Sequence, residues 1–458
     1  MPRHTNPGVI EDDDTARPKV AARTTRKLSL LPLIAVIYLV VSGGAYGLED
    51  AVRLAGPRLT LLLCIVVPLT LSLPTALMAA ELTALMPVEG GFYFWVKEAL
   101  GPFAGFAEAY LTILYTAVDM AIYPVLFAAY LSFLIPVGGP AQIVVGVAMI
   151  WLAGLMNILG VRPVGFVSVM LTILLLSPFV AMVVLGVPRL VHFAMPQQPL
   201  FGADPLGALG AGLTVVIWNF GGWENVSVVA AEIDDPRRNY LRAVMTALPI
   251  IVLGYVLPLA VCVSGTNATA SWQTGWFSHE GHRIGGPVLG GALAVGGAVM
   301  SFAVFEAALL WVSRMPFVLA REGYLPTPLT ELWTATETPG KSILLCCVIF
   351  TLLIPLGFVA LVVLDVFFYM AALVLEMIAL VRLRKLQPSN RRSGFVVGGG
   401  AIGVALTVAL PVLTWLATFG LAISTGTGSR DFIIAIALAA TVWPAYAMSR
   451  TRFGGPPI

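Results

Sequence analysis

Long apolar stretches constrain this chain more than any other feature of its sequence. A helix needs about 20 apolar residues to cross the hydrocarbon core of a bilayer, and about 12 stretches here reach or approach that length. They lie near residues 28–49, 59–85, 102–134, 141–160, 164–188, 206–232, 243–264, 287–320, 342–358, 360–380, 396–423 and 431–448. Only helices and closed barrels satisfy their backbone groups in lipid. We therefore expect an all-α integral membrane protein with about 12 transmembrane helices.

Composition excludes the soluble alternatives. Hydrophobic residues make up 59% of the chain and charged residues 11%, whereas soluble domains carry roughly 25% charge. The formal net charge is only +2, so no overall field favours a nucleic acid as a partner. Each cysteine lies inside an apolar run, without the spacing of a disulfide framework or a metal site.

The distribution of positive charge predicts the orientation of the spans. Cytoplasmic loops are enriched in Lys and Arg, and twelve spans place alternate loops on opposite sides. With both termini cytoplasmic, only Arg53, Arg58, Arg189, Arg283 and Arg430 fall on the outer side. The hydrophilic tail at 1–27 lacks the pattern of a cleavable signal peptide. We expect a disordered tail and a multi-pass protein of the cell membrane with both termini in the cytoplasm.

Two of the predicted spans carry helix breaks at matching positions. The first span contains Ser42, Gly43, Gly44, Ala45, Tyr46 and Gly47, and the sixth contains Trp218, Asn219, Phe220, Gly221, Gly222, Trp223 and Glu224. Glycine weakens a helix by about 1 kcal/mol relative to Ala, and unpaired backbone groups are costly in lipid, so such breaks persist where they line a cavity. Interrupted spans in corresponding places of two halves point to the substrate site of an inverted-repeat transporter. The freed N–H groups suit a carboxylate.

Glycine pairs also have a plainer explanation, because small residues let helices approach closely. We assign that packing role to Gly290, Gly291, Gly296 and Gly297 of the eighth span. In spans one and six, the matched positions and the neighbouring aromatic residues favour a binding site instead.

Acidic residues are embedded in the apolar spans, where Arg and Lys are nearly absent. They are Glu49, Asp50, Glu81, Glu108, Asp119, Glu224, Glu232, Glu306, Asp365 and Glu376. Ionisable groups inside a bilayer are costly and usually functional, so the asymmetry predicts that protons, sodium or a cationic substrate pass through the protein. The alternative is that some of these acids lie at helix ends or are hydrogen-bonded in the core, which applies mainly to Glu49, Glu232 and Glu376.

Aromatic residues near these acids support a cationic ligand. Trp218 and Trp223 bracket the break in the sixth span, and Tyr115 and Tyr123 lie one helical turn on either side of Asp119. Aromatic faces attract amines through cation–π interactions. The pattern predicts a cage for an amine, although ordinary packing explains any single ring.

Three motifs in order resemble the amino acid, polyamine and organocation (APC) superfamily. They are Met86–Val96 with Leu100–Phe106, Trp218–Asn239, and Ser313–Pro326. The resemblance covers roughly residues 28–385 and implies a LeuT-type fold, in which two inverted five-helix repeats are followed by two extra helices. It also implies alternating access by rocking of spans one, two, six and seven.

Within that superfamily, Ser42–Val52 resembles the first span of the plant-type polyamine uptake branch. Glu81, Glu108 and Asp119 lie in stretches that resemble the same branch, at positions where it also looks acidic. Trp218 and Glu224 match positions that, in arginine/agmatine exchangers, resemble a substrate-stacking Trp and a pH-responsive Glu. Proton-coupled amino acid carriers have a lysine in the fifth span, but this sequence reads Leu176–Phe179 there. A carboxylate must therefore carry any proton.

Other function classes lack their sequence signatures. An enzyme would need a nucleophile with a base, or a set of metal ligands, and the sequence shows neither. His279 and His282 flank Glu280 in what we predict to be a solvated outer loop, and two histidines do not make a zinc site. No phosphate-binding loop indicates ATP as an energy source, and no cofactor is expected. A substrate-sensing membrane receptor without net transport stays open as an alternative.

The sequence therefore predicts a secondary active transporter for amino acids or polyamines, coupled to protons or working by exchange. Its expected parts are the tail 1–27, repeats at 28–188 and 189–380, a cytoplasmic loop at 381–395, and two further spans at 396–450. Its partners would be the small-molecule substrate, a coupling ion and the lipid bilayer. The predicted substrate-binding residues are Ser42, Gly43, Gly44, Ala45, Tyr46, Asp119, Tyr123, Trp218, Asn219, Gly221, Gly222 and Trp223, and the predicted proton-coupling residues are Glu224, Glu81 and Glu108.

Overall fold

The computed structural model describes residues 28–88, 90–160, 165–194, 199–200, 203–264, 271–321, 325–386, 394–425 and 429–453. The tail predicted at 1–27 and residues 387–393 of the loop predicted at 381–395 lie outside these ranges, whereas 381–386 belong to a helix. In the part that is described, the chain is helical, and its one β-type pairing is a bridge between Leu28 and Ile233.

The helices follow the apolar stretches of the sequence. They are α1 (Leu30–Val41), α2 (Leu48–Ala55), α3 (Pro57–Val67), α4 (Leu73–Leu85), α5 (Gly91–Leu100), α6 (Pro102–Leu134), α7 (Pro140–Ile158), α8 (Gly165–Leu185), α9 (Val187–Val191), α10 (Pro205–Phe220), α11 (Pro236–Val263), α12 (Trp276–Val312), α13 (Arg314–Arg321), α14 (Gly340–Leu353), α15 (Gly357–Leu386), α16 (Gly400–Thr425), α17 (Ser429–Ala440) and α18 (Val442–Phe453). A π-helical turn at Pro68–Ser72 joins α3 to α4.

Nine helical segments of the described chain are long and apolar enough to cross a membrane. Two shorter apolar helices, Leu30–Val41 and Ile173–Leu185, add to them. The prediction of an all-helical, multi-pass membrane protein is confirmed.

The eighth span differs from its predicted range of 287–320. Helix α12 begins earlier, at Trp276, bends at Gly285 and Gly286, and ends at Val312. The bend has a local cause, because Pro287 has no N–H to continue the helical ladder and Gly286 adopts a φ of 71°. The segment Arg314–Arg321, which was expected to be membrane-spanning, forms the separate helix α13.

Both predicted helix breaks are present. Helix α1 ends at Val41 and helical structure resumes at Leu48, with positive φ angles at Gly43, Gly44 and Gly47. Helix α10 ends at Phe220, and a 3₁₀ helix follows at Asn225–Glu232. Gly222 has a φ of 86°, a conformation that is costly for residues with a side chain.

Helices α6 and α15 form the centre of the bundle and pack along each other. Each carries two acids eleven positions apart, Glu108 and Asp119 on α6 and Asp365 and Glu376 on α15. Eleven residues are about three turns, so the acids lie on one face of each helix and about 16 Å apart along its axis. Asp365 interacts with Asp119 and Glu376 with Glu108, which means that the two helices run antiparallel.

Glycines of the eighth span mediate close packing, as the sequence predicts. A Cβ at Gly296 would lie 2.6 Å from the Tyr46 hydroxyl, and one at Gly297 would lie 2.5 Å from the Tyr130 ring. Gly290 is equally crowded, whereas Gly291 faces open space. The packing interpretation therefore holds for three of these four glycines.

Glu81 departs from the expectation that buried acids lack nearby bases. Its carboxylate forms a two-pronged ion pair with the Arg384 guanidinium and accepts the Val397 N–H at 2.7 Å. Glu81 is fully buried, and the Arg384 side chain is 13% exposed. The pair joins α4 to the last turn of α15 and fixes one end of the bundle.

We expect Glu81→Ala to lower the melting temperature of the detergent-solubilised protein, because Arg384 would keep its charge without this carboxylate. Removing one partner of a buried ion pair costs about 3–5 kcal/mol. Glu331→Ala is the control, since the Glu331–Lys341 pair is 60% and 51% exposed and exposed pairs contribute about 0–1 kcal/mol. Equal shifts for the two variants would contradict a stabilising role for the Glu81–Arg384 pair.

Candidate binding pocket

A cavity of about 70 Å³ lies between the two helix breaks. Both breaks and the central helices α6, α12 and α15 contribute to its wall. The lining residues are Leu39, Val40, Val41, Ser42, Gly43, Tyr115, Asp119, Tyr123, Trp218, Asn219, Gly221, Gly222, Asn225, Met300, Val304, Asp365 and Tyr369. No Lys, Arg or His belongs to this lining, although two aspartates do.

The structure brings together most of the predicted substrate-binding residues. Eight of them line the cavity: Ser42, Gly43, Asp119, Tyr123, Trp218, Asn219, Gly221 and Gly222. The remaining four lie outside it. Gly44 and Ala45 are buried in the first break, Tyr46 donates its hydroxyl to the Leu293 carbonyl at 3.2 Å, and the Trp223 indole donates to the Phe220 carbonyl at 2.8 Å.

Asp119 is held by two donors. The Trp218 indole N–H donates to Oδ1 at 3.0 Å, and the Tyr123 hydroxyl donates to Oδ2 at 3.0 Å. Tyr123 is the next turn of the same helix, whereas Trp218 belongs to α10. The carboxylate therefore fixes the orientation of the Trp218 ring at the cavity wall.

Asp365 and Tyr369 line the cavity but were not among the predicted site residues. Both lie on α15, one turn apart, so they share a face. Asp365 is 6% exposed, and its Oδ1 has no hydrogen-bond partner among the described residues. The sequence marks Asp365 as a buried acid, but only the packing of α15 against α6 places it beside Asp119.

Tyr369 forms the floor of the cavity. Its hydroxyl accepts the Gly222 N–H at 2.9 Å and donates to Glu224 Oε2 at 3.1 Å. The Tyr115 ring packs edge-to-face against Tyr369 at 5.8 Å, and the Tyr115 hydroxyl donates to Asn225 Oδ1 at 2.9 Å. These tyrosines lie between the cavity and Glu224.

Three buried glutamates lie close together below this floor. Glu224 is 2% exposed, Glu376 is 3% exposed and Glu108 is fully buried. Thr112 donates to Glu108 Oε1 at 2.7 Å, but Oε2 of Glu108 and Oε2 of Glu376 have no partner within the described chain. Two of these glutamates, Glu224 and Glu108, are predicted proton-coupling residues, whereas the third predicted one, Glu81, lies in its ion pair with Arg384.

In the ranges that the structure describes, no group of three His, Cys, Asp or Glu side chains is arranged to hold a metal ion. Glu232, which the sequence placed among the embedded acids, is exposed. The carboxylates that matter for the cavity are therefore Asp119 and Asp365 at its wall and the three glutamates below it.

The opposite side of the cavity is closed by an aromatic pair. The Trp218 ring packs edge-to-face against Phe358 at 5.5 Å. Phe358 also lines a second cavity of about 590 Å³, together with Phe133, Trp276 and His279. The Trp218–Phe358 pair therefore lies between the small cavity and the larger one.

The solvated loop predicted around His279 is helical instead, although the side chains of His279 and His282 are exposed as expected. His279 and His282 belong to the first turns of α12, and their rings pack against Phe133. Glu280 is 1% exposed and pairs with Arg283 at 3.0 Å. The hydrophobic neighbours Trp276 and Phe277 explain the difference, because they pull this segment against the bundle.

Comparison with known proteins decides the family. Residues 28–442 match the amino acid permease family. The chain belongs to this family. The permease is similar to polyamine transporter RMV1 of Arabidopsis thaliana, with 31% identity over 90% of this chain and 84% of the relative.

Two further relatives agree with this assignment. Polyamine transporter PUT1 of Oryza sativa subsp. japonica is 31% identical over 87% of the permease and 74% of the relative. An uncharacterized transporter of Legionella pneumophila is 28% identical over 76% of the permease and 80% of the relative. The predicted APC resemblance is confirmed, and the chain is a multi-pass membrane transporter.

We expect Gly47→Ala to destabilise the permease. Gly47 has a φ of 93°, and an added Cβ would lie 2.9 Å from the Trp218 ring and 3.0 Å from the Phe358 ring. The left-handed backbone alone costs a residue with a side chain roughly 1–2 kcal/mol. Gly291→Ala is the matched control, because Gly291 lies inside α12 and faces open space. Melting temperatures measure both effects. A Gly47→Ala protein as stable as the wild type would contradict this expectation and would show that the Trp218 and Phe358 rings can move aside at little cost.

Proposed function

We propose that the permease is a secondary active transporter of organic amines, with polyamines as its principal substrates. The observation that carries this proposal is a cavity between two broken helices that is lined by two aspartates, by three tyrosines and one tryptophan, and by no basic side chain. The polyamine transporters among its relatives support the same substrate class.

The backbone of the first break favours an amine over an amino acid. A substrate carboxylate would need free N–H groups near Ser42–Ala45. In the structure the Gly43 N–H donates to the Tyr38 carbonyl at 3.2 Å, and the Gly44 N–H donates to Ser42 Oγ at 3.1 Å. The Gly47 N–H donates to Glu49 Oε2 at 2.7 Å. Because these three donors already have partners, the break offers fewer N–H groups to a substrate carboxylate, and a substrate without a carboxylate fits the site better.

The architecture that we propose is the LeuT-type fold with twelve spans. Gly340–Leu386 is long enough for two spans, and the 3₁₀ turn Ile354–Leu356 with a positive φ at Gly357 divides it. The division adds one span to the nine candidate segments, and the two shorter apolar helices add two more, which supports a total of twelve spans. We propose cytoplasmic termini and two inverted repeats at 28–188 and 189–380, with the two breaks at equivalent positions.

We propose that transport is coupled to protons through the glutamates below the cavity floor. Glu224 contacts the cavity through Tyr369 and interacts with Glu376, which in turn interacts with Glu108. Proton relays inside membranes are built from such carboxylates. Because Glu81 is bound to Arg384 and the Val397 N–H, we assign it a structural role and not a coupling role.

Uptake into proteoliposomes tests the substrate class. We expect the purified permease to accumulate putrescine under an imposed pH gradient, to carry arginine less well, and to leave leucine outside. Binding of putrescine without uptake would favour the alternative of a substrate-sensing receptor. Preferred uptake of leucine would show that the acidic cavity does not select amines.

Glu224→Gln tests the coupling. We expect putrescine uptake by this variant to lose its dependence on the external pH, because the amide cannot exchange a proton, while putrescine binding stays measurable. Thr112→Val is the matched control, since it removes a hydrogen bond from Glu108 and leaves every carboxyl in place. An unchanged pH dependence in Glu224→Gln would remove Glu224 from the coupling path.

A further inference from the structure

Two buried acceptor atoms of the cavity wall lack a hydrogen-bond partner in the part of the chain that the structure describes. Asp365 Oδ1 has no hydrogen-bond partner among the described residues, and neither has Asn219 Oδ1. The orientation of the Asn219 amide is fixed, because its Nδ2 donates to the Val215 carbonyl at 3.0 Å, so its oxygen points elsewhere. Both residues line the cavity and are at least nine-tenths buried.

Buried acceptors without partners need an explanation, since nearly all buried polar atoms in proteins are hydrogen-bonded. A buried carboxylate without a partner is costlier still. Asp365 therefore indicates that a donor belongs in this cavity, and a second carboxyl group on the same wall, that of Asp119, together with the lack of a basic side chain in the lining, favours a cationic donor.

Asp119 and Asp365 differ in what they can still accept. Each oxygen of Asp119 already accepts one hydrogen bond, from Trp218 and from Tyr123. A carboxylate oxygen has two lone pairs, so Asp119 can accept one more donor while it keeps its position. Asp365 offers Oδ1 without competition from the protein.

A primary ammonium group matches this set of acceptors. It carries three N–H donors and no acceptor, and the wall offers Asp365, Asp119 and Asn219. A volume of about 70 Å³ corresponds to roughly two water molecules, which is space for one ammonium end and the first methylene groups of its stem. Met300 and Val304 supply apolar wall for that stem.

We propose that Asp365, Asp119 and Asn219 form a binding site for one primary ammonium group, with Asp365 as its main acceptor and the residue that selects cationic amines. This site deepens the proposed function and rests on it. The free N–H donors are essential to the recognition, so a quaternary ammonium of the same charge fits the site poorly.

The experiment compares the wild type with Asp365→Asn, Asp365→Glu and, as the control, Asp431→Asn, which lies on α17 outside the cavity. Each purified protein is assayed for stabilisation against heat by putrescine, by its fully N-methylated bis-quaternary analogue and by sodium chloride, and for putrescine uptake in proteoliposomes. Stabilisation by a ligand reports binding independently of transport.

We expect putrescine to stabilise the wild type and Asp431→Asn at the same concentrations. Asp365→Asn should need concentrations on the order of tenfold higher or more, because it loses one charge-assisted hydrogen bond to the ligand. Without ligand, Asp365→Asn should be no less stable than the wild type, because it removes an unpaired buried charge. If Asp365→Asn fails to fold, Asp365→Glu tests the site instead. Its longer side chain keeps the carboxyl group but displaces it, so the KM for putrescine uptake should rise.

Unaltered putrescine binding by Asp365→Asn, or by Asp365→Glu where only that variant folds, would overturn the site while leaving the proposed function intact. Equal stabilisation by the bis-quaternary analogue would overturn the role of the N–H donors. Stabilisation by sodium that is lost in Asp365→Asn would show a sodium site instead. A wild type that neither binds nor carries any amine would refute the proposed function itself, and with it this site.

Discussion

Backbone groups released inside a membrane need partners, and this requirement organises the whole centre of the permease. Each break exposes N–H and C=O groups that lipid cannot satisfy, and polar side chains from neighbouring helices satisfy them. Around the second break, Ser72 donates to the Phe220 carbonyl at 3.0 Å, Tyr255 to the Asn219 carbonyl at 2.9 Å and Tyr240 to the Trp223 carbonyl at 2.7 Å. The break is thus attached to the span that ends with α4 and to α11.

The buried acids fall into two groups by their partners. Glu49 accepts from the Gly47 N–H, the Gly275 N–H and the Tyr130 hydroxyl, and Glu81 is paired with Arg384. These acids hold elements together. Glu108, Asp365 and Glu376 each keep a buried oxygen without a partner in the described chain. Since buried acceptors without partners are rare, the second group is where the amine and the protons of our proposal would bind.

The sequence predicts the breaks and the embedded acids well, because both are local signals: glycine pairs and carboxylates stand out within apolar stretches. It cannot separate the two groups of acids, because their partners are distant along the chain. Glu81 meets Arg384 across 303 positions, and Asp365 faces the cavity only because α15 runs antiparallel to α6. The prediction of a loop at 276–284 is wrong for a related reason, since its polar residues are typical of a loop while the buried Phe277 fixes it to the bundle.

The two acid pairs and the break at Gly222 lie on different helices. The cavity pair, Asp119 and Asp365, and the deeper pair, Glu108 and Glu376, lie on α6 and α15, which are continuous for 33 and 30 residues. The Trp218 ring on one side of the cavity and the Gly222 N–H that binds Tyr369 on the other belong to the broken helix. A continuous helix keeps the spacing of its side chains, whereas a break can change its backbone angles at a few residues. In the transport cycle that we propose, movement of the broken helix would break the hydrogen bond between the Gly222 N–H and Tyr369 and would leave the distance between the two acid pairs unchanged.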